Sequence, residues 1–88
     1  MSDATLTIRN QRGLHARAAA KFVKLVSEFE AEVLVSKDGQ EVSGESIMGL
    51  MMLAAAPGDT IDVTTSGAEE IAALQAITQL VEDKFEEN

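Results

Sequence analysis

The chain has 88 residues, a net charge of −8 and no cysteine. The length predicts one domain, residues 1–88, and the missing cysteines exclude disulfides and thiolate chemistry. One histidine without any cysteine argues against a structural zinc site, and the composition indicates no other metal and no cofactor. The negative charge disfavours nucleic acid and anionic lipid as partners.

The N-terminal segment lacks the basic region and apolar run of a signal peptide. The longest apolar stretch, roughly residues 47–56, is too short to span a bilayer. We therefore expect a cytoplasmic protein that does not interact with the membrane.

The first third of the chain changes from strand to helix periodicity after a polar loop. Residues 4–8 alternate apolar and polar side chains, which is typical of a half-buried strand. Residues 10–13 form the loop, with Gly13 at its end. From Ala16 onward the apolar residues recur at helical spacing, which predicts a helix of about fourteen residues that ends near Phe29.

A hairpin and a short apolar helix follow. Asp38-Gly39 lies between the extended segments 32–37 and 40–43 and is a strong two-residue hairpin signal, so this strand pair is antiparallel. Ser46 is a good N-cap for a helix that continues to Ala54 and is apolar on almost every side.

The last third of the chain predicts one more strand and one more helix. Pro57-Gly58 ends the short helix, and residues 60–64 alternate again as a strand. Ser66 and Glu69 have the spacing of a capping box, which predicts that a helix starts there. Its apolar stripe is predicted to be Ile71, Leu74, Ile77 or Thr78, Val81 and Phe85.

The element order is thus β-α-β-β-α-β-α. Four strands and three helices in so short a chain predict an α+β fold, a two-layer sandwich with the helices on one face of the sheet. The pattern alone does not determine the order of the strands.

Positive charge is concentrated near the N-terminus. Residues 4–27 contain no acid and five basic residues, which we name the basic island: Arg9, Arg12, Arg17, Lys21 and Lys24. The rest of the chain carries two lysines and all fifteen acids. A solvated helix face would explain the basic island, but the only histidine, His15, lies within it and favours a functional explanation.

If a helix begins at Ala16, His15 is its N-cap. The first N–H groups, those of Ala16, Arg17 and Ala18, then have no partner within the helix, and the helix dipole adds positive charge there. Such a site binds phosphate, to which Arg17 can add its guanidinium. The same field disfavours imidazolium, so neutral His15 could act as a nucleophile toward a phosphoryl group. The alternative is a surface cap without chemistry.

Two motifs carry a resemblance to a known family. Residues 13–17, Gly-Leu-His-Ala-Arg, resemble the active-site signature of HPr, the histidine-containing phosphocarrier of the bacterial phosphotransferase system. Residues 46–51, Ser-Ile-Met-Gly-Leu-Met, resemble the second signature of that family, around its regulatory serine. Pro57-Gly58 and the start of the last helix at Gly67 and Glu69 also fit, so the likeness covers nearly the whole chain.

The resemblance implies an open-faced sandwich with strand order 1-4-2-3 and a monomeric phosphoryl carrier rather than an enzyme. His15 would accept a phosphoryl group on Nδ1 from phosphorylated enzyme I, which is itself charged by phosphoenolpyruvate. It would then pass the group to a histidine of an enzyme IIA protein. Arg17 would stabilise the group during transfer, and an ATP-dependent HPr kinase/phosphorylase would modify Ser46.

The chain departs from the family pattern at two positions. Ala18 replaces the usual proline after the arginine, which adds an N–H group that can help to hold phosphate. Arg12 replaces a residue that is often small or apolar. These departures concern rates and partner preference rather than the reaction. The loop from Asn10 to Gly13 and the overall sequence resemble the nitrogen-regulatory branch more than a dedicated sugar-uptake carrier.

Partner docking is expected from two groups of side chains. The short helix has too many apolar residues to bury them all, although a core role would be the usual explanation, and methionine suits adaptable binding surfaces. We therefore expect an apolar patch next to His15 that includes Ile47, Met48 and Met51. The basic residues Arg12, Lys21 and Lys24 imply an acidic surface on the partner.

Two other functions fit parts of the pattern. An acylphosphatase-like hydrolase would also hold phosphate with an arginine before a helix, but it needs no histidine, and its Gly-rich loop is absent. A non-catalytic regulatory module would use only the surface around Ser46. A Ser/His/Asp triad has no Gly-x-Ser-x-Gly elbow to support it.

Overall fold

The computed structural model describes residues 1–87 as one antiparallel sheet covered by helices. Its strands lie in the order β1-β4-β2-β3, with these bounds: β1, Ser2–Thr7; β2, Glu32–Lys37; β3, Gln40–Ser43; β4, Thr60–Ser66. This confirms the α+β fold and the strand order 1-4-2-3 that the resemblance implied. β1 begins earlier and β4 ends later than the alternation had suggested.

Within residues 1–87 three α-helices pack on the sheet: α1, Ala16–Val26; α2, Ile47–Met52; α3, Glu70–Glu82. Alternate residues of the two central strands are buried against them, namely Val33 and Val35 of β2 and Ile61 and Val63 of β4. Because side chains of a strand alternate between its two faces, only one face of the sheet is covered. Among the described residues, no helix is long and apolar enough to cross a membrane.

The β2–β3 hairpin forms as its turn residues predicted. Lys37 pairs with Gln40, so Asp38 and Gly39 form a two-residue turn. Both turn residues have positive φ, 52° and 82°, as a type I′ turn requires. Gly39 meets that requirement without strain.

The first two helices end earlier than predicted. α1 ends at Val26, not near Phe29, and the hydroxyl of Ser27 donates to the carbonyl of Lys24 over 2.6 Å. That bond competes with the helical pattern, and the amides of Glu28 and Phe29 accordingly donate to carbonyls three residues back. α2 ends at Met52 because Ala54 adopts a left-handed φ of 53°.

The predicted capping box is wrong. Ser66 is the last residue of β4, where it pairs with Glu32. The Glu69 carboxylate accepts a hydrogen bond from the backbone N–H of Glu30 over 2.8 Å, so it closes the loop before β2 instead of capping a helix. α3 begins at Glu70 without a side-chain cap.

The end of the last helix also differs from the prediction. α3 stops at Glu82, and its buried stripe is Ala73, Ile77 and Val81. Ile71 is 64% exposed because it lies two residues, about 200°, from that stripe. Phe85 is fully buried as expected, but it lies beyond the helix in a left-handed turn.

Candidate functional site

A tight loop between β1 and α1 presents His15. Gly13 has a φ of +64°, and a Cβ there would lie 2.2 Å from the carbonyl oxygen of Ala55. The backbone N–H of Leu14 donates to the same oxygen over 2.9 Å. Only glycine allows this close approach, which ties the loop before α1 to the segment after α2.

His15 caps α1, as predicted. Its backbone is extended, with φ −78° and ψ 179°, and Nδ1 accepts a hydrogen bond from the backbone N–H of Arg17 over 3.3 Å. The lone pair of Nδ1 therefore points at the N-terminus of the helix. The side chain of His15 is 22% exposed, so the ring is held by the fold yet open to a reactant.

The start of α1 is unusually positive. The first helical hydrogen bond runs from the N–H of Ala19 to the carbonyl of His15, so the three N–H groups before it have no helical partner. The first turn contains no acid and instead carries the exposed Arg17. A cation there opposes the helix dipole at a cost of roughly 0.3–1 kcal/mol, and an anion bound at this position would reverse that cost.

The predicted phosphate-binding backbone differs in exposure along its length. Ala16 and Arg17 are exposed, whereas Ala18 is fully buried. The roles predicted for the N–H groups of these three residues stay predictions.

A carboxylate that no sequence motif indicated lies at the other nitrogen of the ring. Oε2 of Glu87 lies 2.5 Å from Nε2 of His15, although 72 residues separate the two in the chain. Oε1 of the same carboxylate accepts a hydrogen bond from Nδ2 of Asn10 over 2.9 Å. That amide also donates to the carbonyl of Gly13 over 2.8 Å. No local motif indicates contacts between residues so far apart.

Residues 84–87, which we name the C-terminal strap, bring Glu87 to the site. Lys84, Phe85 and Glu86 all have left-handed φ values, 57°, 54° and 63°. Each costs about 1–2 kcal/mol for a residue other than glycine. Burial of Phe85, worth about 1.5–3 kcal/mol, and a 2.8 Å hydrogen bond from Lys21 Nζ to the carbonyl of Phe85 offset this strain.

An open depression of about 400 Å³ lies between the strap and the start of α1. Its walls combine residues of the basic island with acids of the strap: Gln11, Arg12, Arg17, Lys21, Glu86 and Glu87. Two of the predicted docking residues, Arg12 and Lys24, are exposed. The third, Lys21, is bound to the strap and lies 3.7 Å from Glu86, so it also has a structural role.

The second signature forms the short helix that was predicted. Ser46 caps α2, and its Oγ accepts a hydrogen bond from the N–H of Gly49 over 2.9 Å. Leu50 is the only buried residue within α2. The other large side chains form an exposed apolar patch: Ile47, Met48 (74% exposed), Met51 and Met52.

These contacts define what the site can do. Nδ1 of His15 has a lone pair beside a cationic helix N-terminus, and Nε2 faces a carboxylate. Nε2 donates to the carboxylate, and the lone pair of Nδ1 lies beside a positive anion site. An imidazole held in this way is suited to nucleophilic attack on phosphorus.

Comparison with known proteins points the same way. Residues 2–83 match the family model described as the PTS HPr component phosphorylation site. The phosphocarrier protein HPr of Neisseria meningitidis is 48% identical over 87 residues, which cover 99% of this chain and 98% of that protein. The phosphocarrier protein NPr of Shewanella violacea is 45% identical and covers 97% and 93%. These two identities do not separate the branches.

The solved structures agree with the sequence comparison. A crystal structure of HPr from Thermoanaerobacter tengcongensis superimposes with a TM-score of 0.95 at 40% identity, covering 100% of this chain and 99% of that one. The resemblance noted in the two signatures is confirmed over the whole fold. With its lone histidine at the start of α1, this chain belongs to the HPr family of phosphocarrier proteins of the phosphotransferase system.

Proposed function

We propose that His15 carries a phosphoryl group between phosphorylated enzyme I and an enzyme IIA protein. The observation that carries this proposal is the position of Nδ1, whose lone pair points at the positive start of α1. Family membership supplies the system in which the transfer takes place. The protein acts as a covalent intermediate in the phosphoryl transfer and is regenerated in each cycle.

The transfer needs no proton to leave Nδ1. The lone pair of Nδ1 forms the new N–P bond while the bond from phosphorus to the donor in enzyme I breaks, and that electron pair stays on the donor. The N–H of Arg17, released from Nδ1, is then free to donate to a phosphoryl oxygen, together with the N–H of Ala16. The guanidinium of Arg17 stabilises the negative charge of the phosphoryl group in the transition state of the transfer.

The docking surface consists of three side chains of the exposed apolar patch and three of the basic island. Ile47, Met48 and Met51 supply apolar contacts that can adapt to different partners. Arg12, Lys21 and Lys24 steer acidic partner surfaces toward His15. We propose that the carrier works as a cytoplasmic monomer.

Ser46 is proposed as the regulatory site, modified by an HPr kinase/phosphorylase. It stands at the edge of the apolar patch and is only half-buried, although its Oγ is engaged by Gly49. A phosphate there adds a charge of about −1.5 to −2 beside the proposed docking surface.

The alternatives have less support. A hydrolase of the acylphosphatase type would not account for the family match or for a histidine held at both ring nitrogens. A module that acts only through the Ser46 surface would leave that same histidine without a role.

Labelling decides between these functions. The protein is incubated with enzyme I and phosphoenolpyruvate that carries a labelled phosphoryl group, and an enzyme IIA protein is then added. We expect one label per chain that is lost in acid and kept in alkali, as a phosphoramidate is, and that moves to enzyme IIA. An acid-stable label would place the phosphoryl group on a hydroxyl, and no label would reject the carrier function.

A further inference from the structure

We propose that Asn10 and Glu87 form a positioning relay that keeps the proton of His15 on Nε2. The inference rests on the proposed carrier function and adds two residues, neither of them in the two signatures, that prepare Nδ1 for attack. Neither residue touches the phosphoryl group. Both act through the imidazole ring.

Two independent contacts require the same tautomer of His15. The N–H of Arg17 donates to Nδ1, so Nδ1 must present a lone pair. The Glu87 carboxylate can only accept, so Nε2 must present an N–H. In the other neutral tautomer Nδ1 would meet the N–H of Arg17 with its own proton, and the lone pair of Nε2 would face a carboxylate.

Asn10 determines where the Glu87 carboxylate lies. Its side chain is fully buried, and Nδ2 donates both to the carbonyl of Gly13 and to Oε1 of Glu87. The hydrogen bond to Gly13 holds Nδ2 of Asn10 in place, and Nδ2 in turn holds the Glu87 carboxylate in position. Oε2 is then left facing the ring. The order of the relay is therefore Asn10, Glu87, His15.

The relay serves both halves of the transfer cycle. When Nδ1 forms its bond to phosphorus, the proton stays on Nε2 and the ring gains a positive charge. The Glu87 carboxylate lies against that charge and stabilises it. When the phosphoryl group leaves for the next protein, the N–P bond pair returns to Nδ1 and the ring is again neutral with its proton in place.

Glu87→Gln tests the relay because it keeps the shape and changes one acceptor into a donor. The Gln oxygen would still accept from Asn10, so its NH₂ group would face Nε2 and favour the wrong tautomer. We expect the ¹⁵N chemical shifts of the ring to show a loss of the Nε2–H form. Phosphorylation by enzyme I should slow about tenfold, the loss typical when a residue that orients a metal-bound histidine is replaced. Glu82→Gln removes the same charge at an exposed position at the end of α3, outside the depression beside His15, and should change neither readout.

A double-mutant cycle tests the order of the relay. If Asn10 acts through Glu87, Asn10→Ala slows phosphorylation in the native chain and adds little once Glu87→Gln is present. Equal effects of Asn10→Ala in both backgrounds would overturn the relay. So would a Glu87→Gln ring with the native ¹⁵N shifts. The ¹⁵N spectra are recorded without phosphorylation, so they test the relay independently of the carrier function. If the native protein took no label, the carrier function would be rejected, and the ¹⁵N shifts would still decide whether the relay sets the tautomer.

Discussion

The backbone N–H of Arg17 donates to Nδ1 of His15 over 3.3 Å, so the ring is at once the cap of α1 and the proposed nucleophile. These two roles can be separated by substitution. A cap needs only a side-chain acceptor at this position, whereas the transfer needs a ring nitrogen with a lone pair.

His15→Asn keeps an acceptor for the N–H of Arg17 and removes the nucleophile, while His15→Ala removes both. We expect neither variant to be labelled from phosphoenolpyruvate. Thermal unfolding should show His15→Ala less stable than His15→Asn by about 0.5–2 kcal/mol, the usual worth of an N-cap. Label on His15→Asn would show that another residue is the acceptor.

Arg17→Ala separates stability from function. The guanidinium opposes the dipole of α1, so its removal should stabilise the fold by roughly 0.3–1 kcal/mol. The same change should slow phosphoryl transfer in both directions by about 10²-fold, since one charge that stabilises the group in flight is lost. Rapid-quench rates and melting curves measure the two effects.

Arg9→Ala is the matched control for Arg17→Ala. Arg9 is exposed, belongs to the same basic island and lies outside the loop that presents His15. It should change neither the rate nor the stability appreciably. If Arg17→Ala altered only the affinity for enzyme I, Arg17 would belong to docking and not to the transfer.

Gly13→Ala should distort the loop that presents His15. The substitution puts a side chain at a φ of +64° and a Cβ 2.2 Å from the Ala55 oxygen. Gly39→Ala is a suitable control because Gly39 also has a positive φ, 82°, but no atom within 4 Å of its Cβ position. We expect Gly39→Ala to cost about 1–2 kcal/mol of backbone strain and Gly13→Ala to cost more. Labelling should slow only in Gly13→Ala, and equal stabilities would contradict the close approach.

The sequence predicted the elements of the fold because their signals are local. Alternation in the strands, the Asp38-Gly39 turn and the caps at His15 and Ser46 each depend on residues a few positions apart. The strand order was predicted only from the family resemblance, because no local sequence pattern indicates that β1 pairs with β4. The prediction of a capping box was wrong because the Glu69 carboxylate accepts from the N–H of Glu30, a residue 39 positions away, which no local pattern indicates.

The candidate site was predictable on one side of the ring only. His15, Arg17 and the start of α1 are neighbours in sequence, so their chemistry can be inferred from spacing. Glu87 reaches the ring because Phe85 is buried and the strap turns left-handed after α3. Helical periodicity instead predicted that α3 would continue through Phe85, which would have carried Glu87 elsewhere.

The stability of the strap should depend on pH. The hydrogen bond from Asn10 holds the pKa of the Glu87 carboxyl below its usual value of 4.5; partial burial works against this, and contact with His15 adds to it. A lowered pKa means that the stabilisation is complete above that usual value and is lost as the pH falls through the lower value in the folded protein. Acid should therefore weaken the strap first in the range below pH 4.5.

Melting temperatures between pH 7 and pH 3 check this prediction. Glu87→Gln should flatten the acid limb of the curve, whereas Glu82→Gln, with the same loss of charge at the exposed end of α3, should leave it in place. Some acid dependence must remain, since contacts with the N-terminal ammonium and with Ser2 lower the pKa of Glu70 as well. Parallel curves for all three proteins would show that Glu87 contributes no pH-dependent stability.

The last prediction concerns Ser46→Asp, where two effects oppose each other. Aspartate is as good an N-cap as serine, and its charge meets the favourable end of the α2 dipole, so stability should be unchanged or rise by roughly 0.3–1 kcal/mol. Docking should suffer, because the charge lies beside Ile47 and Met48 and faces the acidic partner surface that the basic island implies. We expect phosphorylation of His15 by enzyme I to slow while the melting temperature holds.

Gln75→Glu adds the same charge at an exposed position of α3, a helix that packs on β1, β4 and α1, and serves as the control. It isolates the effect of net charge from the effect of position, since both variants carry one more negative charge than the native chain. If the two variants slowed phosphorylation equally, Ser46 would lie outside the docking surface. A large loss of stability in Ser46→Asp would show instead that the contact with Gly49 needs a hydroxyl, and the regulatory site would act through the fold.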